Sequence, residues 1–466
     1  MGLLARLAAI VGENNVLADA DGTVPLLQEP RGRYEGRALA VVFPRSTEEV
    51  SRLLALCNER GVGVTPQGGN TGLVGGQTPD LSGTQILLSL KKLDRIREID
   101  PSSDTMTLEA GVTLAGAQGA AAESDRYFPL SLASEGSCTI GGNLATNAGG
   151  VHVIAYGTMR DLVLGVEAVL ADGRVFNGLS KLRKDNTGYD LTQLLIGSEG
   201  TLGVITAATL KLFAPPRGRV TAFVGVADPA QALALLQLCK ARLPGALQAF
   251  ELLPRIGVDF VLKHGGQARD PFAEICPWYV LVEFAGAEQQ ALSAAVVDLL
   301  TQGHDAGLLS SAAVAESLAQ AAGFWRLREM MSEVQGKEGG SIKHDVSLPL
   351  KDVPAFIEEA GRRVTARVPG ARPVPFGHLG DGNIHYNVSQ PVGADKAAFL
   401  ALWEEVNDIV HEIVGKYGGS ISAEHGIGQA KRALLAKVKD PTALATMRAI
   451  KAALDPKGIL NPGKLL

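Results

Sequence analysis

The sequence predicts an α+β protein of two or three domains, and three observations carry that reading. A helix announced by its own capping residues alternates with short strands near the start. β-rich runs separated by turns fill residues 86–213. Pro215-Pro216-Arg217-Gly218 then breaks the pattern, and strands alternate with Ala/Leu-rich helices beyond it. With 466 residues, 46% of them hydrophobic, each part can bury a substantial core.

Taken in order, residues 1–12 are apolar but short, carry Arg6 and run into Glu13-Asn14-Asn15 instead of a small-residue cleavage site, so an amphipathic first helix is expected in preference to a signal peptide. Leu39 to Phe43 reads as a strand. Ser46-Thr47-Glu48-Glu49 is a capping box, and Val50, Leu53, Leu54 and Cys57 follow at helical spacing, which predicts a helix to about Gly61. Val62 to Thr65 is the next strand and empties into the loop Pro66-Gln67-Gly68-Gly69-Asn70-Thr71-Gly72-Leu73. From Ile86 to Phe213, strands such as Met106 to Ala110, Gly165 to Leu170 and Gly203 to Leu212 predict a mostly antiparallel second lobe. Beyond it, strands Val220 to Val226 and Trp278 to Glu283 with helices at 229–242 and 287–302 predict a separate domain. The resulting boundaries are 1–216, 217–418 and a C-terminal segment 419–466.

Composition excludes several classes. A net charge of −5, from 44 basic and 49 acidic residues, offers no basic surplus for nucleic acid. Cys57, Cys138, Cys239 and Cys276 form no CxxC pair and suit small buried hydrophobes in a reduced cytosol, which argues against a disulfide framework. No segment reaches the ~20 apolar residues of a membrane span, so a soluble protein is expected, with peripheral membrane contact left open; the cysteines point to the cytoplasm.

Glycine-rich turns let successive backbone N–H groups converge on an anion, and glycine is required where a side chain would block a phosphate. Pro66 to Leu73 is one such loop. The other is Gly136-Ser137-Cys138-Thr139-Ile140-Gly141-Gly142-Asn143-Leu144-Ala145-Thr146-Asn147-Ala148-Gly149-Gly150, which adds hydroxyl and amide side chains. A diphosphate-containing dinucleotide is the natural guest. Neither loop has GxGxxG spacing, so a nicotinamide site has little support. Gly458 to Lys464 matches part of a P-loop but lacks its Ser/Thr and has no room for the following helix.

Two histidines stand in Gly377-His378-Leu379-Gly380-Asp381-Gly382-Asn383-Ile384-His385. Pro375 to His378 and Ile384 to Val388 read as strands of a hairpin, which brings both imidazoles within reach of one ion. With Glu424 they would leave open positions on a divalent metal, as a catalytic site needs, and the metal's identity stays open. Upstream, if Phe324 to Ser332 is helical, Arg328 and Ser332 lie at i and i+4 on one face. Arg328 with Lys343 would grip a carboxylate, unless Arg328 merely pairs with a nearby acid.

The loop Pro66 to Leu73, the stretch Pro129 to Gly150, Tyr156-Gly157, Gly197-Ser198-Glu199-Gly200-Thr201-Leu202-Gly203-Val204-Ile205 and the ending Asn461-Pro462-Gly463-Lys464 together resemble the vanillyl-alcohol-oxidase type FAD flavoproteins over nearly the whole chain. The resemblance implies a two-lobed FAD-binding domain, a substrate (cap) domain with an antiparallel sheet, and a C-terminal segment returning to the first. Some members attach the flavin through a histidine in the first loop; here Asn70 follows the glycine pair, which implies non-covalent FAD.

The metal-type residues resemble the D-2-hydroxyacid dehydrogenase branch of that family. The resemblance implies zinc on His378, His385 and Glu424, with His425 as the base. It further implies Arg328, Ser332 and Lys343 on a distal carboxylate, as in members that oxidise D-2-hydroxyglutarate, and Asn387 on the substrate carboxylate. Ser332 departs from the threonine of that pattern, which bears on shorter acids such as D-malate, D-lactate or glycolate. The implied electron acceptor is an electron-transfer flavoprotein or a quinone; a homodimer is admitted. A metal-dependent hydrolase without flavin is the rival of another class.

Overall fold

The computed structural model describes residues 2–29 and 31–466; Met1, the first residue of the expected N-terminal helix, lies outside the described residues. The chain divides into two compact units: residues 1–149, 156–215 and 424–466 form the first, and 150–155 and 216–423 the second. Among the described residues, no helix is long and apolar enough to cross a membrane.

The first unit holds two sheets. In the four-stranded one, Ile86–Ser89 lies between Ala40–Val42 and Val64–Gln67, parallel to both, and Val16–Leu17 closes the edge antiparallel. The expectation that residue 86 opens the antiparallel lobe is therefore corrected. Fully buried Ile86, Leu87 and Leu88 make the continuous apolar run of a central parallel strand, not the alternation of a half-exposed one. The helix predicted behind Ser46 spans Thr47–Arg60; Ser46 accepts from the Glu49 N–H and Gly61 closes the helix in the left-handed conformation. Its face of Val50, Leu53, Leu54 and Cys57 packs into one core with the sheet.

The five-stranded sheet, Ile96–Asp100, Thr105–Glu109, Val204–Lys211, Val163–Val169 and Val175–Asn177 in spatial order, is antiparallel throughout, as the sequence predicts. The last segment returns to the first sheet: Leu460 bridges Val64 in parallel, and Asp455 accepts from the N–H groups of Ile459 and Leu460.

The second unit is built on one eight-stranded antiparallel sheet. Ser311–Val314, Gly218–Val226, Trp278–Gly286, Leu247–Pro254, Arg372–His378, Asn383–Ser389 and Ser341–Ile342 follow in order, and Val346–Ser347 also pairs with Asn383–Ser389. Side chains alternate between faces, so each face makes its own core. Phe250, Leu252, Val280, Val282 and Phe284 meet helices Pro229–Arg242, Gln289–Asp305, Val353–Arg367 and Trp403–Lys416 on one side. Leu253, Tyr279, Leu281, Val374 and Phe376 meet Arg255–His264, Leu318–Glu329 and Met331–Val334 on the other. This second face carries the polar residues considered next.

Candidate active site

In the first unit the glycine loops lie directly on one another. A Cβ on Gly68 would stand 2.3 Å from Thr139 Oγ1, and one on Gly69 would stand 2.0 Å from the Ser137 carbonyl oxygen. The third loop joins them, since a Cβ on Gly200 would meet Pro66 at 2.5 Å. The Gly197 and Glu199 N–H groups donate to the carbonyls of Leu144 and Ala145 in the helix Ile140–Ala145. Asn461 donates to the carbonyls of Gly76 and Glu199, at 2.9 and 2.7 Å.

Backbone strain concentrates there, and several buried polar atoms lack partners. Of the seven described non-glycine residues with positive φ, four are Asn70, Asn147, Glu199 and Asn461, all in these segments. Thr139 Oγ1, Gln67 Oε1, Asn70 Oδ1 and Asn461 Oδ1 are buried without a hydrogen-bond partner. Each costs free energy unless a ligand satisfies it, so the residues fit a polar cofactor laid against closely packed backbone. Asn70 holds the loop by donating to the Gln28 carbonyl, and Thr71, Gly72 and Leu73 continue it, with Gln77 donating to the Gly72 carbonyl. Gly141 and Gly142 sit in the short helix after Ser137; the Gly141 and Ile140 N–H groups donate to the Ala110 and Val112 carbonyls. Thr146 and Gly149 follow it. Pro129, Val204 and Ile205 are buried, Gly203 precedes the strand, and Tyr156 beside Gly157 packs edge-on against Phe213. Gly136 has open space around it, and Gly150 falls in the segment grouped with the second unit.

Glu199 is a residue that sequence reasoning passed over. It is buried and accepts from the Ile427 and Gly428 N–H groups at 2.7 Å each, fixing the segment that follows Glu424 and His425. Burial pushes its carboxyl above the ordinary range, and the two amide donors only partly oppose this. Its signal in the sequence was one acid inside a glycine-rich loop, with nothing to say what it would bind. Glu424 and His425 are half-buried and open the final segment of the first unit, directly after Ala423.

In the second unit, strand register assembles the polar set. Glu251 lies opposite His378, Phe376 opposite His385, and Val374 opposite Asn387, so Glu251, His378, His385 and Asn387 share the face of Phe376. The predicted hairpin is present as Arg372–His378 and Asn383–Ser389. The two imidazoles are 5.4 Å apart, centre to centre and nearly perpendicular, and His385 lies 5.3 Å from the Phe376 ring.

Arg328 belongs to the last turn of Leu318–Glu329. Its Nε donates to Glu251 Oε2 at 2.6 Å, and its guanidinium lies 4.9 Å from the centre of the Phe376 ring. The expected single helix through Ser332 is two: Met330 caps the first, and Met331–Val334 forms a separate turn. Lys343 Nζ donates to the Ser332 carbonyl and hydroxyl, at 2.9 and 3.0 Å. Asn387 donates to Gln335 Oε1 at 2.8 Å, and Gln335 is itself fully buried. Arg328, Ser332, Lys343, Asn387 and the two histidines thus occur in one unit, the first of them paired with an acid.

That acid, Glu251, is fully buried and bonds His378 Nδ1 at 2.6 Å through its other oxygen. Burial drives its carboxyl up, but His378 and Arg328 outweigh burial and hold it at about 2. An ionised carboxylate can only accept, so Nδ1 is the donor, and whenever the ring is neutral this leaves the lone pair on Nε2, the form a metal ligand needs. Asp345, also buried, accepts from Asn383 at 3.0 Å and stands 4.0 Å from His385 Nδ1, too far for a hydrogen bond.

Glycine loops with unsatisfied polar atoms, and an imidazole pair with an arginine on a buried sheet face, define a flavoprotein oxidoreductase. The chain belongs to the FAD-linked oxidases: residues 215–465 match the family described as FAD linked oxidases, C-terminal domain, and residues 38–178 match the FAD binding domain. It is 40% identical to the mitochondrial D-2-hydroxyglutarate dehydrogenase of Danio rerio, covering 93% of this chain and 79% of that protein. It is 38% identical to the D-2-hydroxyglutarate dehydrogenase of Xanthomonas citri pv. viticola, covering 93% and 90%. The fold is that of p-cresol methylhydroxylase, with a TM-score of 0.77 at 18% identity over 99% of this chain and 96% of that one. The vanillyl-alcohol-oxidase resemblance and its α+β architecture are borne out.

Proposed function

We propose that this enzyme oxidises D-2-hydroxyglutarate to 2-oxoglutarate. The observation that carries the reading is the closed ring Glu251, His378, His385, Phe376 and Arg328, which sets metal-type imidazoles beside a buried guanidinium on one sheet face. FAD, when bound, supplies the hydride acceptor, and a divalent metal supplies positive charge that favours loss of the hydroxyl proton. The FAD is non-covalent, because Asn70 offers no nucleophile at the loop position, and the unsatisfied atoms of Gln67, Thr139 and Asn461 suit its polar groups. His378 Nε2, His385 and Glu424 hold the metal, zinc by preference.

In this reading His425 takes the hydroxyl proton, its neutral imidazole being suited to a base near neutral pH. Asn387, held by Gln335, donates to the carboxylate beside the reacting carbon. Arg328 and Lys343 grip the distal carboxylate with help from the Ser332 hydroxyl, and the two cations select a diacid over D-lactate. Electrons leave to an electron-transfer flavoprotein or a quinone, and the protein works in the cytoplasm, a homodimer being compatible.

The test is anaerobic mixing of the zinc-supplemented flavoprotein with D-2-hydroxyglutarate, its L-enantiomer and D-lactate, following flavin absorbance. Fastest bleaching by D-2-hydroxyglutarate is expected. Preferential bleaching by D-lactate would replace the substrate assignment with a D-lactate dehydrogenase.

A further inference from the structure

We infer that Glu251 is a positioning residue that couples the metal-binding imidazole to the substrate-binding guanidinium; the inference rests on the roles proposed above for His378 and Arg328. Its origin is register. Glu251 on Leu247–Pro254 stands directly across from His378 on Arg372–His378, so the two side chains leave the sheet on the same face. Leu318–Glu329 packs over that face through Leu327 and brings the neighbouring Arg328 to the same carboxylate. Each oxygen has one partner, both at 2.6 Å, and the residue has no exposed surface.

Two consequences follow from one group. The bond to Nδ1 fixes the His378 tautomer and ring orientation with Nε2 as the ligand atom. The bond to Arg328 uses Nε, which an end-on grip by the two terminal nitrogens does not need, so the guanidinium is held without spending that grip. Coulomb attraction between Glu251 and Arg328 could be replaced by many arrangements. Bonding both partners through two acceptor oxygens needs a carboxylate of this length.

Glu251→Gln separates positioning from mere packing, because the amide keeps the size but has one acceptor and one donor. If its oxygen serves Arg328, its N–H₂ faces Nδ1, which must then accept, and the proton moves to Nε2, where it blocks metal binding. If its oxygen serves His378, Arg328 loses its anchor.

The experiment is calorimetric titration of zinc into the chelator-treated, FAD-loaded protein, for the parent and for His385→Ala, Glu251→Gln and Glu251→Asp, with KM and kcat measured for D-2-hydroxyglutarate and D-lactate. Zinc affinity is expected to fall roughly 10–100-fold in Glu251→Gln, with KM for the diacid rising more than KM for lactate. A partial loss is expected in Glu251→Asp, whose shorter carboxylate cannot reach both partners. If the parent binds no zinc, or His385→Ala binds it equally well, the metal reading itself fails. If His385→Ala loses zinc while Glu251→Gln keeps the parent affinity and KM, the coupling role is overturned and the site reading stands. Should Glu251→Gln not fold, Glu251→Asp decides on the same two readouts, and parent-like values there overturn the proposal.

Discussion

Replacing Gly69 by alanine tests whether the glycine loops are a cofactor cradle or ordinary turns. The new Cβ would lie 2.0 Å from the Ser137 carbonyl oxygen, with the Ser137 carbonyl carbon at 2.8 Å and Cys138 Cα at 2.9 Å. All three are backbone atoms, so no side chain can swing aside. Relief to an ordinary 3.4 Å contact requires the two loops to part by about 1.4 Å. Overpacking of this kind costs about 1–3 kcal/mol, and if it falls on the FAD-bound arrangement it weakens FAD affinity by about fivefold to 150-fold. Gly136 is the control: it belongs to the same loop, but nothing lies within 4 Å of its Cβ position. The assay is flavin content after gel filtration, then an FAD dissociation constant from fluorescence quenching of the refilled protein. Gly69→Ala with unchanged FAD affinity, or Gly136→Ala with an equal loss, would refute the reasoning.

Arg328→Ala leaves Glu251 buried with one partner, which is expected to cost about 3–5 kcal/mol in urea unfolding and to raise KM for D-2-hydroxyglutarate more than for D-lactate; an equal rise for both acids would remove Arg328 from the distal carboxylate. Glu199→Gln supplies one acceptor oxygen to the two N–H groups of Ile427 and Gly428. Leaving one buried donor unsatisfied costs about 1–3 kcal/mol, and the loosened His425 segment should lower kcat, which stopped-flow flavin reduction at unchanged flavin content would measure. The Glu251 carboxyl sits at about 2 in the folded protein against an ordinary 4.5, so its stabilising contribution is fully present above about 4.5 and is lost as pH falls toward about 2. Melting temperature should therefore drop more steeply across that window for the parent than for Glu251→Gln, and parallel curves would contradict the assignment.

Local chemistry was legible in the sequence wherever one segment contained its own instructions. Ser46 and Gly61 bound the helix Thr47–Arg60 because caps act on neighbours in the chain. The hairpin around Leu379 to Asn383 was readable for the same reason, its two strands being joined by the four turn residues Leu379 to Gly382. Ile86–Ser89 was legible as a strand but not as a member of the parallel sheet, since its partners Ala40–Val42 and Val64–Gln67 are chosen by packing over distance. The break at Met330 was invisible because Leu327, Met331 and Val334 continue helical spacing through it and are buried in one core.

Glu251 marks where sequence reasoning stops. It lies 77 residues from Arg328 and 127 from His378, between the apolar neighbours Phe250 and Leu252, and nothing local distinguishes it from a misplaced charge. Placed in an apolar core alone, such a carboxylate would protonate or unfold the strand. It is tolerated because register delivers a histidine across the strand pair and helix packing delivers an arginine from above. The bland expectation for Arg328, pairing with an acid, and the functional one, gripping a substrate carboxylate, are therefore compatible: the acid engages Nε and the other nitrogens remain for a ligand. A buried charge network of this kind is strongly destabilising when any single member is removed. The register of Leu247–Pro254 against Arg372–His378 is consequently held by the active site as much as the active site is held by the register.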